Sequence, residues 1–79
     1  MKILESAENY LETILILQQR NGNVRAVEIA AELDFSKPSV SVAMKQLREN
    51  GYIEVDGNGH ITLLPPGMEI AQRIYERHR

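Results

Sequence analysis

The chain contains no cysteine, which excludes disulfides, thiolate zinc sites and cysteine nucleophiles together. No apolar run reaches the length of a membrane span, and the N-terminus, MKILESAE, lacks a signal peptide's apolar stretch. The cytoplasm is therefore the expected compartment, with no membrane partner. There are no internal repeats, no low-complexity segments, no glycine-rich phosphate loop and no nucleophile elbow. Basic charge is not in excess either: 9 Lys and Arg stand against 11 Asp and Glu, a net charge of −2. That balance counts mildly against a nucleic-acid partner, because phosphate contacts need cations.

What is present is an ordinary globular composition, 43% hydrophobic and 25% charged, in 79 residues. That is one domain, 1–79, small enough for its core to be marginal and for oligomerisation to be expected.

The chain is organised around Val27–Gly51, which reads as two short helices joined by a tight turn. Val27, Ile29, Ala30 and Leu33 give the first an apolar stripe. Asp34-Phe35 makes the corner, Ser36 is the N-cap of the second helix, and Pro38 sits in its first turn, where a missing N–H costs nothing. Val40, Ala43, Met44 and Leu47 fall on one face of this helix, 37–50, and Gly51 ends it as a left-handed residue.

The opposite face is the informative one. Pro38, Val42, Lys45, Gln46 and Glu49 point away from the core, flanked by Ser39 and Ser41. Small hydroxyls and an exposed valine suit close approach to a DNA major groove, where serines reach phosphates or base edges and Val42 meets a thymine methyl. The plainer reading is a helical hairpin with Val42 half-buried by a neighbour. Arg25, Lys37, Lys45 and Arg48 lie at or near this side, whereas Glu5, Glu8, Glu12, Glu28 and Glu32 gather on the first two helices. Four cations bind DNA only weakly from one copy, so two copies on a two-fold site are expected.

Upstream, residues 6–20 predict a helix with Ser6 as its cap. Ala7, Leu11, Ile14 and Gln18 lie close to one line, widened by Tyr10, Leu15 and Leu17, and Glu5, Asn9, Glu12 and Ile16 lie on the far side. Asn21-Gly22-Asn23 stops the helix, and Val24 starts the connection onward. Downstream, Tyr52–Val55 and His60–Leu63 alternate around Asp56-Gly57-Asn58-Gly59, a hairpin signal. A helix-turn-helix followed by such a hairpin predicts a winged helix-turn-helix, mainly α with a small β-hairpin. The wing turn carries no Lys or Arg, so the N–H groups of Gly57 and Gly59 are its candidates for phosphate. Pro65-Pro66-Gly67 opens the last helix, with Met68, Ala71, Ile74, Tyr75 and His78 on one face. Its pattern is still in full stride at Arg79, which suggests a domain of something longer.

In order and spacing, ENYLETI, VRAVEIAAELDFSKPSVSVAMKQLRENGYI, GHITLLPPG and AQRIYERHR resemble the amino-terminal domain of the iron- and manganese-dependent repressors, the diphtheria toxin repressor family. The resemblance implies a winged-helix DNA-binding domain of a metal-responsive repressor, followed by a dimerisation domain largely absent here after Arg79. It implies DNA contact by the exposed members of Ser36, Pro38, Ser39, Val40 and Ser41. It also places metal ligands at Asn9, Glu12 and His78, with the rest supplied beyond Arg79. Carboxylate and imidazole donors suit Mn²⁺ or Fe²⁺. Asn9 departs from the aspartate of manganese-type members and the methionine of iron-type members, and a neutral amide oxygen is a weaker ligand. The chain alone is accordingly expected to be largely metal-free. The family's threonine before the last helix is replaced by Leu64, and Asp34 replaces a common glycine at the corner.

Two rival functions are weighed. Catalysis would have to draw on Ser36, Ser39, Ser41, His60, His78 and scattered acids, which form no known nucleophilic motif. A winged helix used for protein–protein contact would fit the acidic balance, the uncharged wing turn and exposed Val42 and Ile16. DNA binding is steeply salt-dependent and an apolar protein interface is not.

Overall fold

The computed structural model describes residues 5–78. Four helices and a two-stranded hairpin follow in the order α1 (Glu5–Asn21), α2 (Ala26–Leu33), α3 (Lys37–Glu49), β1 (Ile53–Val55), β2 (Ile61–Leu63) and α4 (Pro65–Arg77). The side chain of Glu5 and the expected helical continuation at Arg79 lie outside the described residues. Among those described, α4 ends at Arg77.

The long helix α1 is the spine of the molecule. Leu11 and Ile14 are fully buried and Tyr10, Leu15 and Leu17 nearly so, so one broad apolar face meets the other elements. Its most extensive partner is α4, which contributes Ala71 and Ile74, while Ile29, Val40, Met44, Leu47, Ile53, Ile61 and Leu63 close the core from the reading side. Burying side chains of this size supplies most of the stabilisation, about 1.5–3 kcal/mol each relative to exposure.

Four expectations about individual residues are corrected. Ser6 lies inside α1, one residue after its start, and is not its cap. Val27 is 51% exposed: α2 turns Ile29 and Ala30 inward, and a residue two positions earlier lies about 200° away on the helix. Glu12 is not on an open far side but lies under the end of α4, its side chain only 12% exposed. Ile16 is half-buried, which removes it as an exposed apolar contact.

The hairpin is antiparallel, with Ile53 opposite Leu63, Glu54 opposite Thr62 and Val55 opposite Ile61. Ile53, Ile61 and Leu63 point inward and Glu54 and Thr62 outward, the alternation of a sheet with one covered face. A further bond joins the hairpin to the other side of the fold: the Ile61 N–H donates to the Val24 carbonyl at 2.8 Å. Val24 is fully buried, so this bond ties the link between α1 and α2 to the hairpin.

Candidate nucleic-acid interface

Helix α3 is held at both ends by local chemistry. Asp34 adopts φ 57°, ψ 42°, the left-handed conformation that turns the chain out of α2. Phe35 follows, its ring edge-on to Tyr10 at 5.8 Å. Ser36 then caps α3: its Oγ accepts the Ser39 N–H at 3.3 Å and donates to Ser39 Oγ at 2.8 Å. Pro38 occupies the first turn. At the other end, Tyr52 N–H reaches the Leu47 carbonyl and Gly51 N–H the Arg48 carbonyl, with Gly51 at φ 80°. This paired arrangement satisfies carbonyls that a helix end leaves open. The helix closes at Glu49, with Asn50 as cap.

Between these anchors α3 buries Val40, Met44 and Leu47, with Ala43 half-buried. Lys37, Pro38, Ser39, Ser41, Val42, Lys45, Gln46 and Glu49 are all exposed, as is Arg48. Val42, at 57% exposed, is not covered by any neighbour. A cap engaged on both sides leaves Ser36 little freedom to act elsewhere. Ser39, whose oxygen accepts from Ser36, keeps its own O–H as a donor.

Arg25 sits at the N-cap of α2. Its N–H is held by Glu28 Oε1 at 3.0 Å, and Glu28 Oε2 accepts from Asn21 Nδ2 at 3.3 Å, which fixes the start of α2 against the end of α1. A guanidinium cannot accept a hydrogen bond, so the Arg25 side chain takes no part in this cap. It is exposed.

The wing turn is closed by Asp56. Its Oδ1 accepts the N–H groups of Asn58 at 2.8 Å and His60 at 2.9 Å, and its own N–H donates to the His60 carbonyl at 3.0 Å. The His60 backbone N–H, more than any other contact, holds the Asp56 carboxyl below the usual carboxylate range, helped by Asn58, by the His60 ring and by the Arg25 charge. His60 Nδ1 lies 3.6 Å from Asp56 Oδ2. Gly59 N–H donates to the Asp56 carbonyl at 3.0 Å, so it is spent inside the turn and is not available to phosphate as its sequence position suggested. The turn's side-chain charge is negative, that of Asp56.

Between α3 and the hairpin runs a groove of about 320 Å³. Met44, Val55 and Ile61 form its apolar floor, and Ser41, Lys45 and Arg48 stand along its α3 side. Among the described residues, neither Lys45 nor Arg48 is held in an ion pair; the pairs present are Arg20–Glu32, His60–Asp56, Arg73–Glu69 and His78–Glu12.

Where α1 meets the end of α4, the fold unites two of the three expected metal ligands. His78 Nδ1 lies 2.8 Å from Glu12 Oε2 and 3.1 Å from Oε1, across 66 residues of sequence. His78, expected on the apolar stripe of α4, instead stands in the turn just beyond the helix with its side chain 57% exposed. Asn9 is exposed on α1, three residues before Glu12. A carboxylate and an imidazole nitrogen converging on one point fit a divalent ion of the manganese or iron type. Among the described residues, no third His, Cys, Asp or Glu joins them.

Comparison with known proteins agrees with this geometry. Residues 2–61 match the family described as iron dependent repressor, N-terminal DNA binding domain. The chain is 30% identical over 78 residues to the iron-dependent repressor IdeR of Mycobacterium tuberculosis, covering 99% of the chain and 34% of that protein. It is 35% identical over 75 residues to the transcriptional regulator MntR of Salmonella typhimurium, covering 95% of the chain and 48% of the relative. Among solved structures, T. acidophilum IdeR superposes with a TM-score of 0.85 at 26% identity, over all of this chain and 36% of that one. The chain thus spans between a third and a half of the length of these relatives. With a four-helix, one-hairpin winged helix and a family match over most of its length, the chain belongs to the iron-dependent repressor family, through that family's N-terminal DNA-binding domain.

Proposed function

We propose that this chain is the operator-reading domain of a metal-responsive transcriptional repressor, and that α3 enters the major groove of double-stranded DNA. The observation that carries this reading is the solvent face of α3. A helix capped at both ends presents Ser39, Ser41 and Val42 outward, with Lys37, Lys45 and the nearby Arg25 to neutralise phosphates. Ser36 and Pro38 shape the entry of the helix and bring its first turn close to the duplex. Two copies act as a homodimer on a two-fold operator, because each supplies few cations. The reading places the protein in the cytoplasm and gives it no catalytic role, consistent with Ser36 and His60 being occupied in a cap and a turn.

Glu12, His78 and Asn9 are the residues that would hold a divalent ion, Mn²⁺ or Fe²⁺, with further ligands beyond residue 79. Such an ion supplies a charge-neutralising link between α1 and the end of α4. Glu12 and His78 do the positioning from this chain's side: the middle of α1 and the end of α4 already bring them together.

The experiment is a footprint on selected duplex. Ser39→Ala with Val42→Ala is expected to erase the sequence-specific footprint at about 1–3 kcal/mol per lost base contact while the domain stays folded by circular dichroism. An unaltered footprint would remove the assignment of α3.

A further inference from the structure

Three asparagine–glycine pairs punctuate the chain: Asn21-Gly22 at the end of α1, Asn50-Gly51 after α3 and Asn58-Gly59 in the wing turn. Such pairs carry latent chemistry, because glycine has no side chain to shield its main-chain nitrogen from the neighbouring side-chain amide. We infer that Asn58 is a site of spontaneous covalent modification, where the wing turn converts asparagine to aspartate and isoaspartate while Asn21 and Asn50 are protected by their own hydrogen bonds. The reaction needs only water and does not depend on what the wing touches.

The backbone does not distinguish the three pairs. Their glycines are all left-handed, at φ 85°, 80° and 82° in chain order. Each glycine N–H is also spent, on the Gln18 carbonyl at 2.8 Å, the Arg48 carbonyl at 3.1 Å and the Asp56 carbonyl at 3.0 Å. The side chains do distinguish them. Asn21 Nδ2 donates to Glu28 Oε2 at 3.3 Å and Asn50 Nδ2 to the Gln46 carbonyl at 2.7 Å, so either amide must leave a partner before its carbon can turn towards the glycine nitrogen. Asn58 is exposed, and among the described residues its side-chain amide has no hydrogen-bond partner. Only the Gly59–Asp56 bond has to open. It lies in an exposed turn between strands of 3 residues each, the kind of segment that opens at low local cost. The Gly59 nitrogen then loses its proton and attacks Asn58 Cγ: the N–C bond forms, the Cγ–Nδ2 bond breaks, and ammonia leaves with that proton. Water opens the resulting cyclic imide at either carbonyl, giving aspartate or, with the main chain lengthened by a methylene, isoaspartate. Asp56, also followed by a glycine, does not compete, because a carboxylate is a poor electrophile and its Oδ1 is held by the N–H groups of Asn58 and His60. The product sets a second carboxylate beside that of Asp56 in the wing turn.

The test incubates the folded chain in mildly alkaline buffer and locates the converted residue by peptide fragmentation in a mass spectrometer. An isoaspartyl carboxyl methyltransferase with labelled S-adenosylmethionine is the probe for isoaspartate. Conversion is expected at Asn58 several-fold ahead of Asn21 and Asn50, and the three rates are expected to converge in urea, where no hydrogen bond protects any of them. Asn58→Gln, whose longer side chain would have to close a larger ring, is expected to remove the label from the wing. Glu28→Ala, which frees the Asn21 amide, is expected to raise conversion at Asn21 and leave Asn58 unchanged. Conversion led by Asn21 or Asn50 in the folded chain overturns the inference, as does an Asn58 that stays an amide while the chain in urea converts. A Glu28→Ala chain whose Asn21 is as slow as in the wild type overturns it too, because the side-chain bond would then not be the protection.

Discussion

Gly67 carries a constraint that its setting, Pro65-Pro66-Gly67, only half announces. The sequence marks a breaker and a helix start, and the helix does begin at Pro65. The structure adds that Gly67 is buried against the backbone of Tyr52: a Cβ built there would meet the Tyr52 carbonyl oxygen inside contact distance. The same carbonyl accepts the Leu64 N–H at 3.0 Å, so it cannot swing aside without opening the join between β2 and α4. Gly67→Ala is therefore expected to destabilise the domain by about 1–3 kcal/mol, the usual range for overpacking, seen as a lower midpoint in urea with an unchanged slope. An unchanged midpoint would mean that the α4 start can slide. Leu64, which caps α4 with no side-chain hydrogen bond, shows the opposite case: there the lost hydroxyl was readable from the sequence alone.

Among the elements, the hairpin tests how far pattern reading reaches. Alternation around a Gly-rich turn was enough to identify both strands, each expected one residue longer at its start than it is, and the Asp34 corner, the Ser36 cap and the Gly51 stop were equally legible because each is a local, one-turn interaction. Three things were not. Val27 misled because periodicity cannot say which of two apolar stripes an eight-residue helix will bury. The Val24–Ile61 bond joins residues 37 apart with no signature beyond an apolar side chain. The role of Asp56 depends on three N–H groups and carbonyls that exist only once the turn has closed. That last feature has a measurable outcome. Because the folded carboxyl lies below its ordinary value, Asp56 stabilises the turn fully above pH 3.8, the unperturbed value, and the contribution is lost as pH falls through the lower folded value. Amide exchange at Asn58 and His60 is expected to quicken over that acidic window in the wild type, and to be fast at every pH in Asp56→Ala. Protection that persists in the variant would show that the strands alone hold the turn.

For the molecule as a whole, net charge is a poor guide and its placement a good one. The chain is acidic overall, yet Lys37, Lys45 and Arg48 all stand exposed on α3. Metal belongs at this scale too. Glu12 and His78 come from the first and last helical segments, and two donors plus an amide oxygen fall short of a full shell. Titration of the chain with Mn²⁺ is expected to give weak binding, abolished in Glu12→Gln, with low-salt duplex binding unaffected. Tight binding by the chain alone would contradict the assignment of the missing ligands to residues beyond 79.

The bond from Ile61 to the carbonyl of Val24 carries one last implication. It fastens the ribbon to the very joint from which α2, the corner and α3 depart, so no pivot lies between the two parts that would touch nucleic acid. Helix and ribbon are thereby tethered at a common root, while Glu12 and His78 separately tie α1 to the end of α4.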